Sequence, residues 1–287
     1  MPTLIDFRRR IRSVKNTQQI TRAMKFVAAA KLRRSQEAVF AARPYAREMR
    51  HVLQSAISRI ENPQHLLLAR RQEERILLWL VTGDKGLCGA FNTNVIRKGL
   101  EFAREHAEQK LDVIAAGKKG RDALRKRKAS LVAEYVNISG KVEFSHAKEI
   151  SGKVIEAYSA GEIDAVYAIY NEFKSVLAQR LIVEKLLPIE QAELRSPEPA
   201  AIVDYIYEQP AAEILNSLLP RHVEAQVFRV LLESAAAEHA ARMTAMDSAT
   251  NNAAELIDSI TLHMNKVRQA SITREIIEIV SGAASTA

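Results

Sequence analysis

The residues best placed to do chemistry lie in Gly83-Asp84-Lys85-Gly86-Leu87-Cys88-Gly89, a glycine-rich turn between a strand pattern and a helix pattern. Backbone amides and a helix N-terminus in such a turn are suited to receive a phosphate. The spacing matches neither the dinucleotide fingerprint nor the Walker A loop, which ends on Lys followed by Ser or Thr. The plain reading is a tight turn carrying one basic residue. The seven histidines, including His51, His146, His222 and His263, show no i,i+4 pairing with a third ligand nearby and read as surface residues, so no metal site is expected. Cys88 is the single cysteine and has no close His, and no Gly-x-Ser-x-Gly elbow occurs. Glu233, Glu238 and Glu255 fall on a charge-rich helix pattern, where a solvated glutamate is the default. No catalytic constellation emerges, and no cofactor is expected.

Charge is the stronger feature. From Arg8 to Arg34 the chain carries no acid at all, and the whole chain has a formal charge of +8. A one-sided basic helix face creates a potential that acidic groups feel across a Debye length, so its partner is nucleic acid, an anionic membrane surface or acidic protein loops. Aromatic stacking residues are scarce there, with Phe26 and Phe40 the main ones, which argues against single-strand nucleic-acid binding. A nucleic-acid-binding coiled-coil protein stays open as the alternative reading, and a dinucleotide-dependent enzyme built on the middle of the chain as a third. Arg8, Arg9, Arg10, Arg12, Lys15 and Arg22 mimic a transit peptide, but the pattern runs on through Lys31, Arg33 and Arg34 into continuous helix. No stretch reaches the roughly 18 apolar residues of a membrane-spanning helix, so membrane association is expected only through partners. A single cysteine points to a reducing compartment.

Glycine and proline divide the chain in three, because they penalise helix interiors by roughly 1 and 3 kcal/mol. Nine of ten glycines lie between Gly83 and Gly161, with Gly282 the exception. Thr3 to Arg43 reads as uninterrupted helix that Pro44 kinks. Its apolar stripe runs Phe7, Ile11 and Val14, slips to Ile20, Met24 and Val27, and returns at Leu32 and Val39, a narrow seam suited to coiling around one other helix. Arg221 to Ser281 permits about 60 helical residues with a stripe at Val223, Val227, Val230, Ala237, Ala241, Ala253, Ile257, Ile260, Met264 and Val267. The middle alternates strands (Ile76 to Val81, Leu111 to Ala116, Leu131 to Val136, Ala165 to Tyr170, Leu181 to Leu187) with helices (about Asn92 to Gln109, Arg121 to Lys128), the pattern of a layered α/β domain with largely parallel strands. Ser196 to Pro199 mark a linker back to the helical part.

If the two end helices start together, the C-terminal one overshoots by about 30 Å. Ile272, Ile276, Ile277, Ile279 and Val280 place apolar side chains around more than one face of that end. Two readings fit: a hydrophobic sleeve made by other subunits, or a sticky, frayed terminus.

The run Ile11-Arg12-Ser13-Val14-Lys15-Asn16-Thr17-Gln18-Gln19-Ile20-Thr21-Arg22-Ala23-Met24, with Val27 to Leu32 after it, strongly resembles the gamma subunit of F-type ATP synthases. Gly86 to Gly89, Glu238 to Met243 through Thr250, and Asn265 to Thr273 resemble further blocks of that family. The resemblance implies a central stalk, with no bond chemistry of its own, turning inside a hexamer of alpha and beta subunits and seated on epsilon and the c-ring. It implies contacts of Met24 and Lys25 with acidic beta-subunit loops, and polar contacts of Arg242, Arg268, Gln269, Thr273 and Glu275 with beta and alpha. It also implies a C-terminal bearing at Ile276, Ile277, Ile279 and Val280. Lys25-Phe26 and Lys85 depart from residues common in relatives. The expected fold class is α/β plus coiled coil: long N- and C-terminal helices in an antiparallel coiled coil with a central Rossmann-like α/β domain, divided as 1–62, 75–195 and 208–287. The expected location is the cytoplasmic face of a bacterial inner membrane rather than the mitochondrion, with no nucleic-acid partner.

Overall fold

The computed structural model describes residues 3–58, 60, 64–190 and 210–285. Helix α1 spans Leu4–Ser58 and helix α5 spans Ala211–Ser285. Between them come a 3-10 turn (Leu66–Leu68), β1 (Arg75–Val81), α2 (Phe91–Glu105), β2 (Lys110–Ala116), α3 (Lys118–Lys126), β3 (Leu131–Tyr135), α4 (Phe144–Ser159), β4 (Ala165–Phe173) and β5 (Gln179–Leu187). The chain forms two compact units, residues 1–28 with 243–287 and residues 29–242. The expected linker at Ser196 to Pro199 lies outside the described residues.

The larger unit holds a five-stranded sheet ordered β3-β2-β1-β4-β5, parallel except for β5, which runs antiparallel to β4. Strand β1 is buried on both faces, so it reads as an unbroken apolar run rather than an alternation. Its period-two geometry still sorts side chains: Ile76, Leu78 and Leu80 meet Val95 and Phe102 of α2 and Leu124 of α3. Leu77, Trp79 and Val81 face the other layer, built from α4, the end of α1 (Leu53, Ile57) and α5 (Leu219, Val223, Val227).

Helix α4 escapes the sequence reading, although Ala147, Ile150, Val154 and Tyr158 recur at helical spacing and are buried. Pro44 lies inside α1 without ending it, and Pro220 lies inside α5. Pro44 is exposed, so water can solvate the carbonyl it orphans. Beyond it, Met49, Leu53, Ala56 and Ile57 are buried, and burying such side chains at about 1.5–3 kcal/mol apiece outweighs the roughly 3 kcal/mol proline penalty.

Candidate functional site

In the smaller unit, α1 presents buried or half-buried residues at Phe7, Ile11, Val14, Gln18, Thr21, Lys25 and Ala28, and α5 at Met246, Thr250, Ala253, Ile257, Ile260, Met264 and Val267. Both alternate steps of four and three, the heptad of a two-helix seam. Phe7 meets His263 with ring centroids 5.2 Å apart. The Thr21 and Thr250 hydroxyls lie 2.8 Å apart, and Lys25 Nζ donates to Asp247 Oδ1 at 2.6 Å. Numbers fall on one helix as they rise on the other, so the pair is antiparallel. The stripe does not slip to Ile20 and Val27 as the sequence reading had it; both are exposed. A polar layer continues the seam instead, where Gln18 Nε2 also donates to the Thr250 carbonyl at 3.5 Å.

Outside the seam, Arg8, Arg9, Arg10, Arg12, Lys15 and Arg22 are exposed. So are the apolar Ile5, Ile20, Phe26 and Val27. Met24 is half-buried, and Lys25 carries its charge against Asp247. Past Val267 every described side chain of α5 through Ser281 is exposed, including Arg268, Gln269, Thr273 and Glu275. Thr273 Oγ1 donates back to the Gln269 carbonyl at 3.0 Å. Ile276, Ile277, Ile279 and Val280 are more than half exposed, a concentration of apolar surface that a soluble helix end rarely carries without cover.

The larger unit holds Arg242, and there it is anchored internally. Its guanidinium donates to Glu238 Oε1 at 2.6 Å and to the carbonyls of Gly86 at 3.2 Å and Lys85 at 3.4 Å. Glu238 is only 2% exposed, which corrects its reading as a solvated glutamate. It sits over Gly83, where an added Cβ would stand 2.7 Å from its carboxyl carbon. The Gly83 amide donates to Asn92 Oδ1 at 2.8 Å. Strand order reverses between β1 and β4, so the crevice beyond their C-terminal ends is where open α/β sheets take nucleotides. Here Glu238 fills the space over the Gly83 turn, and Ala237 packs against Cys88 and Phe91. Asn171, at the end of β4, donates to the Phe91 carbonyl at 3.4 Å.

Two histidines taken as surface residues are not. His239 is buried, and desolvation, aided by the positive charges of Arg242 and Lys31, lowers its pKa to about 4. Desolvation does the same to His222, again to about 4, with Arg50 and Arg229 adding to it. Burial pushes the Cys88 thiol up. Glu238, Asn92 and His239 were missed as site residues; the i,i+4 spacing of Glu238 and Arg242 was the available signal. Among the described residues no group of three His, Cys, Asp or Glu side chains is placed to hold a metal ion, and no helix is long and apolar enough to cross a membrane.

The sequence model of a family described as ATP synthase matches residues 3–286. The chain is 56% identical over 289 residues to the ATP synthase gamma chain of Solibacter usitatus, covering 99% of each. It is 48% identical over 285 residues to that of Pelotomaculum thermopropionicum, again covering 99% of each. The chain belongs to the ATP synthase gamma family. A chain of the central stalk and c-ring of the Tetrahymena thermophila mitochondrial ATP synthase is similar with a TM-score of 0.61 and 27% identity, over 80% of this chain and 99% of that one. A rotor chain of the Euglena gracilis mitochondrial ATP synthase shares the fold, with a TM-score of 0.66 at 21% identity over 94% of this chain and 98% of that one. Gamma-family membership replaces the nucleic-acid-binding and dinucleotide-enzyme readings. It also gives the gamma chain's antiparallel seam and uncovered apolar helix end a common setting.

Proposed function

We propose that this chain is the central rotary shaft of an F-type ATP synthase. It is a non-catalytic subunit that couples proton flow through a membrane c-ring to conformational cycling of the catalytic beta subunits. The observation that carries the reading is the α5 segment past Val267, uniformly exposed and studded with Ile272, Ile276, Ile277, Ile279 and Val280. Such a helix end calls for an apolar bearing supplied by other chains, the alpha and beta subunits, rather than for water. The seam below it supports the same reading, since two helices joined by heptad packing resist twist better than one and give an off-centre cross-section.

Within this reading Met24 and Lys25 work against acidic loops of beta, and the basic face from Arg8 to Arg22 runs inside an acidic collar. Arg268, Gln269, Thr273 and Glu275 make polar contacts with alpha and beta. Arg242 contributes through a guanidinium already fixed by Glu238 and the Gly86 turn. Epsilon and the c-ring hold the α/β portion, and segments 1–62, 75–195 and 208–287 divide the labour between shaft and seat. The chain works at the cytoplasmic face of a bacterial inner membrane, held there by its partners; bacterial gamma chains at 46–56% identity favour that setting over a mitochondrial one.

Co-expression with the alpha and beta chains of the same complex tests the proposal. A stoichiometric assembly with ATPase activity is expected, lost on deleting residues 268–287. Recovery of a free, monomeric chain under those conditions sinks it.

A further inference from the structure

Helix α3 starts at the Gly83 turn and runs away from it. The Lys118 amide donates to Asp84 at 3.0 Å, the Lys119 amide to the Gly83 carbonyl at 3.2 Å and the Gly120 amide to Thr82 Oγ1 at 2.9 Å. Nine helical residues then carry the chain about 13 Å back at 1.5 Å each. It arrives where β3 begins, with the Val113 amide donating to the Ser130 carbonyl at 2.8 Å. Arg242, the last residue of the larger unit, stands at the Gly83 end. The far end of α3 is therefore remote from it.

That far end carries Arg125, Lys126, Arg127 and Lys128 in succession, all exposed, while Gly120 and Leu124 form the buried side of the helix. Arg125 donates to both carboxylate oxygens of Glu134, at 2.8 and 2.7 Å. Arg127 reaches the Ala123 carbonyl at 3.1 Å. Among the described residues no carboxylate pairs with Lys126, Arg127 or Lys128. Cations complement the negative end of a helix, but a run of four with three unpaired exceeds what that end requires. Apolar surface adjoins the run. One cleft is lined by Arg125, Lys128, Ala129, Leu131, Val132, Ala133 and Glu134, so the cations and the edge strand β3 are contiguous, and Val132 is 62% exposed there.

We propose that the basic end of α3, with Val132 beside it, is a contact surface for an anionic lipid bilayer. The proposal rests on the shaft reading above, which puts a membrane ring and its bilayer at the end of the larger unit remote from Arg242. Lipid phosphates form a field of charge that consecutive flexible cations meet without a fixed geometry, and a neighbouring apolar side chain adds burial in the interface. From Lys118 to Glu134 no aromatic side chain occurs that could stack on a nucleic-acid base.

An environment-sensitive nitrobenzoxadiazole label on Val132→Cys reads this surface in the full chain; Cys88 is buried, and the wild-type chain taken through the same labelling gives the background. Ser130→Cys takes the label should Val132→Cys not fold. Vesicles of phosphatidylglycerol and phosphatidylcholine in equal parts, and of phosphatidylcholine alone, are titrated in. The emission should shift to the blue on the anionic vesicles only. Each cation near such a surface is worth roughly fivefold in binding, so the combined Lys126→Gln, Arg127→Gln, Lys128→Gln variant should need about tenfold more lipid or beyond. An equal shift on phosphatidylcholine alone, or a shift indifferent to the triple variant, overturns the proposal. So does the absence of any shift, which leaves an acidic protein loop as what meets the cluster. Assembly with alpha and beta is scored separately: a chain that assembles without the shift loses only this surface, and one that shifts without assembling loses only the shaft.

Discussion

The hydroxyls of Thr21 and Thr250 meet 2.8 Å apart at a position where a two-helix seam ordinarily carries two aliphatic side chains. Each hydroxyl also reaches a carbonyl of its own helix, Thr250 Oγ1 that of Met246 at 2.7 Å and Thr21 Oγ1 that of Gln18 at 3.0 Å, so either can donate across the seam. A polar layer of this kind trades stability for a single register. Thr21→Val leaves the Thr250 hydroxyl without its partner across the seam and should cost about 1 kcal/mol, whereas Thr21→Val with Thr250→Val should recover most of it. A double-mutant cycle by urea unfolding, followed by helical circular dichroism, should give a coupling of about 0.5–1.5 kcal/mol. A coupling of zero means that the layer does not set the register.

Lys25 and Asp247 form an ion pair in which both side chains stay over one-third exposed, so its effect on folding is small, on the order of 0–1 kcal/mol. Lys25→Glu should leave the fold intact and impair ATP-driven proton pumping in reconstituted vesicles. Combining it with Asp247→Lys restores the internal pair with opposite polarity and separates two explanations. If pumping stays impaired in the swap, Lys25 acts on acidic groups of a partner; full recovery assigns its role to the pair within the shaft.

Gly83 has no room for a methyl group because Glu238 stands over it, carboxyl atoms 2.7–2.9 Å from the site of a Cβ. The carboxylate cannot swing away, being tied to Arg242 and almost fully buried. Gly83→Ala should therefore destabilise the larger unit by about 1–3 kcal/mol. Glu238→Ala should cost about 3–5 kcal/mol, since it leaves the Arg242 guanidinium without its carboxylate. The two changes should be strongly non-additive, with Gly83→Ala nearly neutral once Glu238 is shortened, as measured by denaturant unfolding of the double variant. Simple additivity contradicts the close contact.

What the sequence made legible follows from which side chains carry the pattern. Strand β1 is an unbroken apolar run, and Val223, Val227, Val230, Ala237, Ala253, Ile257, Ile260, Met264 and Val267 on α5 are buried or half-buried where periodicity puts them. The α1 seam was misread between Val14 and Leu32 because Gln18, Thr21 and Lys25 occupy seam positions, while the apolar Ile20 and Val27 face outward. Hydrophobicity alone follows the wrong residues there; the heptad count follows the right ones. Helix α4 was hidden by Gly152 and by serines at both ends, despite buried residues at helical spacing. Glu238 and His239 were beyond reach for a different reason. Their burial depends on the Gly83–Gly89 turn lying against α5, a long-range contact that no local pattern encodes.

His222 and His239 give the larger unit a pH dependence of definite sign. Burial holds both neutral, with pKa values of about 4 in the folded chain against about 6.5 when unfolded. Above pH 6.5 neither state binds protons at these rings, and their contribution to stability is fully present. As the pH falls from 6.5 toward 4, the unfolded chain takes up protons that the folded chain refuses, so stability is lost, by an amount on the order of a few kcal/mol for the pair. Glu233 works the other way: its raised pKa lets the folded chain bind a proton first, which offsets part of the loss. Carboxylates with lowered pKa values, such as Asp164 and Glu73, lose their contribution only further down. Between pH 6.5 and 5 the histidines therefore dominate. Urea unfolding at pH 7, 6 and 5 should show a falling midpoint in the wild-type chain and a flatter profile in the His222→Gln, His239→Gln double variant. An equally steep profile in that variant assigns the acid sensitivity to other groups.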